Sequence, residues 1–105
     1  MSYGKFCEIF GINPRNRILE FFLESEGLDY GIGDVALETR LNRATTYNTM
    51  EELIKNKYVL PTRVLSGAQL YTLNTKKKEV KILLKSFKEV LKIILDEHTD
   101  KIVAR

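Results

Sequence analysis

Gly33-Asp34-Val35-Ala36-Leu37-Glu38-Thr39-Arg40-Leu41-Asn42-Arg43-Ala44-Thr45-Thr46-Tyr47-Asn48-Thr49-Met50-Glu51-Glu52-Leu53-Ile54-Lys55-Asn56 decides the fold. It reads as two helices joined with almost no loop. Gly33-Asp34 opens a short helix through about Arg40, with Val35 and Ala36 as its small apolar contacts. Leu41-Asn42 is a tight connector, and Asn42 suits a helix cap because its side-chain oxygen accepts from a backbone N–H of the next turn. The longer helix runs from Arg43 to about Asn56. Its inward positions are Thr46, Met50, Leu53 and Ile54, at i, i+4, i+7 and i+8, which lie on one helical face.

Upstream, Asn13-Pro14 starts another helix, with asparagine as cap and proline at the first helical position. It reads from Arg15 to Ser25, with Ile18, Leu19 and Phe22 on one face and Phe21 and Leu23 widening the apolar arc. Gly27 stops it. Leu28 to Ile32 is too short and glycine-rich for a helix and reads as a brief strand or connector.

Downstream, the period changes to two. Tyr58 to Val64 is β-branched and aromatic, and Gln69 to Leu73 alternates polar with apolar, with Leu65-Ser66-Gly67-Ala68 as a short loop between them. Pro61 cannot donate to a ladder and marks an edge or bulged position. Asn74 or Thr75 then caps a long final helix reaching at least Glu97. Leu84, Phe87, Leu91 and Ile94 recur along it at spacings of three and four, flanked by Val80, Leu83 and Val90.

At 105 residues, 44% hydrophobic and 30% charged, the chain has the composition of a small globular domain. The net charge of +3 is unevenly spread. Residues 1–39 hold three basic and seven acidic side chains; residues 40–78 hold eight basic and two acidic; residues 79–105 hold six and five. A basic block thus coincides with the helix pair and the hairpin, and such a block attracts polyanions, nucleic acid first among them. A solvated lysine-rich face would give the same charge count. One cysteine, Cys7, excludes an intrachain disulfide framework or a multi-cysteine metal cluster and fits a reducing compartment. No secretory signal or membrane span is apparent, so a cytoplasmic location is expected.

The order of elements, with these residues, resembles the winged helix-turn-helix superfamily of archaeal and other prokaryotic transcription regulators. The resemblance rests on Phe10-Gly11-Ile12-Asn13-Pro14-Arg15 with Arg17-Ile18-Leu19-Glu20, on Gly33 to Tyr47, on Glu52 to Val59, and on Gln69 to Asn74. It implies an α+β fold: a three-helix core and a two-stranded β-hairpin wing over residues 1–74, then a long C-terminal dimerisation helix over 75–105. Two positions depart from it. Arg40 stands where the turn between the paired helices usually has glycine, and Lys57 where the second of them usually ends in glycine. Asn56 is the residue expected to take the left-handed conformation at the second place.

What the resemblance implies for function is contact of the helix from Arg43 with the DNA major groove. Ala44, Thr45, Asn48, Glu51, Glu52 and Lys55 point outward on a helical wheel. Arg43 and Asn48 have the chemistry for guanine and adenine edges, and Thr45 or Tyr47 for phosphates or thymine methyls, with Asn42 at the helix start. Glu51 and Glu52 would repel phosphate, which puts the contact before them. The wing offers Arg63 at its base, either a phosphate contact or a plain surface arginine, and Ser66, Gly67 and Gln69 near a tip without basic charge. Lys76-Lys77-Lys78 reads as the first turn of the last helix, where cations oppose the macrodipole unless an anion offsets them. Leu83, Leu84, Phe87, Val90, Leu91 and Ile94 form either a dimer seam or ordinary core, with the seam favoured.

The function expected is therefore sequence-specific binding of double-stranded DNA by a homodimer, on a pseudo-palindrome whose half-sites lie about one turn, roughly 10 bp, apart. The competing reading is a protein-interaction module in a transcription or DNA-partition assembly, kept open by the glutamate pair and the uncharged wing tip. No enzyme, cofactor or metal is expected: no phosphate-cradling loop, metal-ligand spacing or activated nucleophile is present, His98 has no partner at metal spacing, and Cys7 reads as a small buried apolar residue. Whether an effector controls binding is not encoded in any motif.

Overall fold

The computed structural model describes residues 3–103, with side chains described through residue 98. Helices α1 (Lys5–Phe10), α2 (Pro14–Glu24), α3 (Ile32–Thr39), α4 (Arg43–Lys55) and α5 (Lys78–Val103) surround a small sheet of β1 (Asp29–Tyr30), β2 (Val59–Leu65) and β3 (Ala68–Leu73). The class is α+β. The sheet is antiparallel in the order β1-β3-β2, so the hairpin pairs with a short strand from between α2 and α3. Among the described residues no helix is long and apolar enough to cross a membrane.

Helix α2 is the hub, in contact with α1, α3, α4, α5 and β3. Its start follows the sequence: Pro14 is the first helical residue and Asn13 Oδ1 accepts from the Asn16 N–H at 2.8 Å. Ile18, Leu19 and Phe22 are wholly buried and meet Val35 of α3, Met50 and Leu53 of α4, Val59 of β2 and Leu73 of β3. The same cluster takes in Phe6 and Cys7 from α1 and Val80, Leu84 and Phe87 from α5. One core thus runs across the boundary at residues 74/75.

Helix α1 had no counterpart in the sequence reading. Six residues are too few to show a period, and an isolated helix of that length is not stable. It is held from outside. Glu20 of α2, only 4% exposed, accepts from the backbone N–H groups of Gly4 at 2.6 Å and Cys7 at 3.1 Å, satisfying donors at the start of α1 with a carboxylate from the next helix.

Both non-glycine turns are left-handed. Arg40, which ends α3, has φ 59°, and Lys57 has φ 63°. The expectation that Asn56 would take this conformation is corrected: Asn56 has φ −89°. The hydrogen bonds give the reason. Tyr58 N–H donates to Leu53 C=O at 2.9 Å and Lys57 N–H to Ile54 C=O at 3.1 Å, a Schellman end whose left-handed residue must be Lys57.

The hairpin is tighter than the four-residue loop read from sequence. Leu65 pairs with Ala68, leaving Ser66 (φ 51°) and Gly67 (φ 79°) as a two-residue loop with positive φ at both positions. Pro61 lies on edge strand β2 where the register shifts, between Pro61 and Val64. The start of α5 also moves. Asn74 Oδ1 accepts from the Lys76 N–H at 3.2 Å, and Asn74 C=O from the Lys77 N–H at 3.2 Å, forming a turn before the helix begins at Lys78. Of the three lysines only Lys78 is in the first turn, so the dipole cost read from the sequence falls on one residue rather than three.

Candidate nucleic-acid interface

The N-terminal half of α4 is fixed by its cap. Asn42 Oδ1 accepts from the Thr45 N–H at 2.8 Å, which orients the first turn. Thr46, wholly buried, returns its hydroxyl to Asn42 C=O at 2.8 Å, so the inward face is satisfied internally. Opposite it, Arg43, Ala44, Tyr47, Asn48, Glu51 and Lys55 are exposed, and Thr45 is half-buried at the margin. Neither Arg43 nor Arg40 makes an ion pair among the described residues.

Across from this strip stands the hairpin. Arg43 and Tyr47 on one side and Gly67, Ala68 and Gln69 on the other line an open groove of about 500 Å³. A second hollow, about 900 Å³, lies on the other side of Arg43 and is lined by Leu37, Arg40, Leu41 and Asn42. Arg40 was passed over in the sequence as a misplaced glycine. Its membership of the basic block was the signal that could have found it.

The two glutamates part company. Glu52, itself exposed, approaches Arg15 of α2 (3.9 Å), whose guanidinium lies 4.9 Å above the Tyr58 ring, so its charge has a partner beside the exposed strip. Glu51 stays on it. Tyr58 also carries Lys77 over its ring at 5.1 Å, and Lys77 approaches Glu79 at 3.7 Å, so that lysine is engaged within the chain.

The hairpin residues are differently disposed than a phosphate-contacting role requires. Arg63 is bidentate to Asp29 of β1 (Nε to Oδ2 3.0 Å, Nη2 to Oδ1 3.3 Å), and Thr62 donates its hydroxyl to the same carboxylate at 2.6 Å. The Arg63 hydrogen bonds, then that of Thr62, hold the Asp29 carboxyl below the usual carboxylate range, and the carboxylate raises the Arg63 guanidinium. Gln69 Nε2 donates to Arg63 C=O at 3.1 Å and Leu70 C=O at 3.0 Å, using both amide protons inside the hairpin. Ser66 is exposed at the loop. The tip itself is apolar: Val64 and Leu65 are 64% and 52% exposed.

The α5 set divides. Leu84, Phe87 and Val90 are buried against the chain's own helices and Leu83 is half-buried, whereas Leu91 and Ile94 are exposed. Cys7 is wholly buried, and burial followed by the neighbouring Glu20 charge pushes its thiol up to about 12, far from a reactive thiolate. His98 is exposed.

The chain matches no protein-family model and no curated protein. Its fold is similar to that of a possible transcriptional regulator from Methanosarcina mazei Go1, with TM-score 0.58 and 11% identity over 93% of this chain and 82% of that one. It is also similar to Bordetella bronchiseptica BpsR, whose DNA binding is regulated by 6-hydroxynicotinic acid. There the TM-score is 0.56 and the identity 18%, over 82% of this chain; this chain spans 59% of BpsR's length. At these identities the likeness is one of fold.

Proposed function

We propose that the chain is a winged-helix transcription regulator of the archaeal and prokaryotic kind, cytoplasmic, binding double-stranded DNA as a homodimer. Residues 1–74 form the DNA-binding part and 75–105 the dimerisation helix. The observation that carries this reading is the exposed strip of α4. It places Arg43, with no ion pair among the described residues, one turn from Tyr47 and Asn48, and faces the hairpin across an open groove inside the basic block. A helix oriented by its Asn42 cap presents its N-terminal residues to base edges, where arginine reads guanine and asparagine reads adenine. Asn42, Ala44, Thr45 and Lys55 flank them toward the backbone. Arg40 joins the set. Arg63 and Gln69 take a lesser part because both are engaged within the hairpin.

The test is binding to a random-sequence duplex and to a selected pool, each across a salt series. Each phosphate contact steepens the loss of affinity by about 0.9 log units per tenfold salt. Enrichment of a two-fold site that is lost in Arg43→Ala or Asn48→Ala supports the reading; absence of binding to any duplex at low salt sinks it. One observation favours the protein-interaction reading instead: the hairpin end is apolar, with Val64 and Leu65 exposed, and Glu51 remains on the α4 strip. A partner complex insensitive to salt, without DNA affinity, would select that reading.

A further inference from the structure

Helix α5 continues well past the core that supports it. It has 26 residues, about 39 Å at 1.5 Å each, in a molecule measuring 53 × 28 × 25 Å. Val90 is its last buried residue among those described, and 91–98 are all exposed. Yet the apolar spacing does not stop there. Leu84 and Phe87 pack inward, and Leu91 (40% exposed) and Ile94 (40%) extend the same stripe outside the buried core of the described residues. The thirteen residues after Val90, taken alone, are at the length where helices are marginal in water.

A second element borders the stripe. Phe10 of α1 is 53% exposed and lies 4.9 Å from Phe6, whose ring is 6.4 Å from Phe87. Ile9, beside it, is 50% exposed. Phe87 is one turn before Leu91, so α1 and α5 offer one continuous apolar surface.

The charges along α5 say what fits. Residues 78–88 carry Lys78, Lys81, Lys85 and Lys88 against Glu79; residues 89–103 carry Glu89, Asp96, Glu97 and Asp100 against Lys92 and Lys101. A helix basic at its start and acidic at its end repels a parallel copy of itself and complements an antiparallel one, and antiparallel macrodipoles add to the preference.

From this the structure assigns the face to a second copy of this chain, with the two α5 helices antiparallel and Phe10 and Ile9 of α1 closing the seam. The dyad falls between Lys92 and Ile93, setting Leu91 across from Ile94 of the other copy. This arrangement deepens the homodimer reading above and rests on it. It also has a consequence for the DNA. Lys78 lies about 22 Å along the helix from the dyad, so the two cores join the seam about 44 Å apart, more than the 34–36 Å of one duplex turn. That separation lies nearer to half-sites one turn apart, as expected from the sequence, than to half-sites two turns apart, roughly 70 Å.

The test uses the full chain. Sedimentation should show a dimer, and Leu91→Glu with Ile94→Glu should weaken it at least about a hundredfold, with Phe10→Glu acting in the same direction by about tenfold. All three positions are exposed in the single chain, so the variants keep the wild-type circular dichroism spectrum. Under mild oxidation Lys88→Cys with Glu97→Cys, both exposed and facing each other across the dyad, should cross-link copies while Lys88→Cys alone, about 13.5 Å along the axis from its own mate, does not; buried Cys7 does not compete. Equal cross-linking by the single variant means a parallel seam and overturns the proposal, as does a wild-type chain monomeric at about 100 μM, its face then left to another protein. Duplex titration of the same samples separates the two readings. A monomer that binds duplex overturns the seam alone, and a dimer without duplex affinity overturns the DNA reading alone.

Discussion

The two ends of this molecule spend their exposed surface differently. At one end α3, α4 and the hairpin expose Arg40, Arg43, Asn48 and Lys55 on backbone held by the Asn42 cap and a left-handed turn. At the other, α1 and the second half of α5 expose Phe10, Leu91, Ile94 and Leu95. A single core built on α2 supports both. Polar side chains on a fixed backbone suit a hydrated, charged partner, and an exposed apolar surface suits a dry one. Helix α5 therefore changes role along its length, being core as far as Val90 and open surface after it.

Truncating side chains on either side of the change should have the most unequal consequences. Phe87→Ala removes a ring packed among the chain's own helices and should cost about 3–5 kcal/mol of folding stability. Leu91→Ala, one turn on, should cost under about 0.5 kcal/mol where the chain is dilute enough to be monomeric, since exposed positions contribute little. Its effect should grow with protein concentration as assembly couples to folding. Urea denaturation at two concentrations reads all three numbers. Equal costs at high dilution would mean that the stripe is one continuous core.

At the polar end, Arg43→Ala should cost about 1–3 kcal/mol of specific DNA affinity and lower discrimination at one base position. Asn48→Ala should behave alike at a different position. Neither should alter the sedimentation of the free protein. A change in assembly from either would join the two ends and end the separation drawn between them.

Much of this was legible in the sequence, and the failures have physical causes. Asn13-Pro14 and Asn42 located the starts of α2 and α4 because a cap is a local event between residues two or three apart. The positions Thr46, Met50 and Leu53 were legible because a helix of thirteen residues shows its period. Helix α1 was not, since its stability comes from Glu20 and Phe87, distant in sequence. Neither was the fate of Arg63, whose partner Asp29 is 34 residues away. Spacing alone also could not sort Phe87 from Leu91: an apolar stripe records that something packs on it, not whose side chains do.

A smaller effect concerns the two left-handed turns. Glycine there would relieve about 1–2 kcal/mol of steric cost and lose part of that to a freer unfolded chain, a net gain of about 0.5 kcal/mol each. Lys57→Gly should show only this gain in thermal melting. Arg40→Gly should show the same gain together with weaker DNA binding and a salt slope lower by about 0.9, because it also removes a cation from the proposed interface. If both variants behave alike toward DNA, Arg40 does not belong to the polar end's function.

The smallest expected effect tests whether the hairpin belongs to that end at all. Asp29 is held ionised by Arg63 and Thr62, so its folded-state pKa lies below the unfolded value. The pair's contribution is therefore present above the ordinary carboxylate range and is lost as pH falls through the folded value. Arg63 is exposed and Asp29 half-buried at the surface, so Asp29→Asn should move the melting temperature only slightly. Its consequence for DNA is more informative, because it releases the one cation of the hairpin. If the hairpin lies along the duplex, the freed Arg63 gains a phosphate and the salt slope steepens by about 0.9, a contact the wild type withholds. If the slope is unchanged, the hairpin stands clear of the duplex. Its apolar tip at Val64 and Leu65 then has more in common with the α1 and α5 surface than with α4.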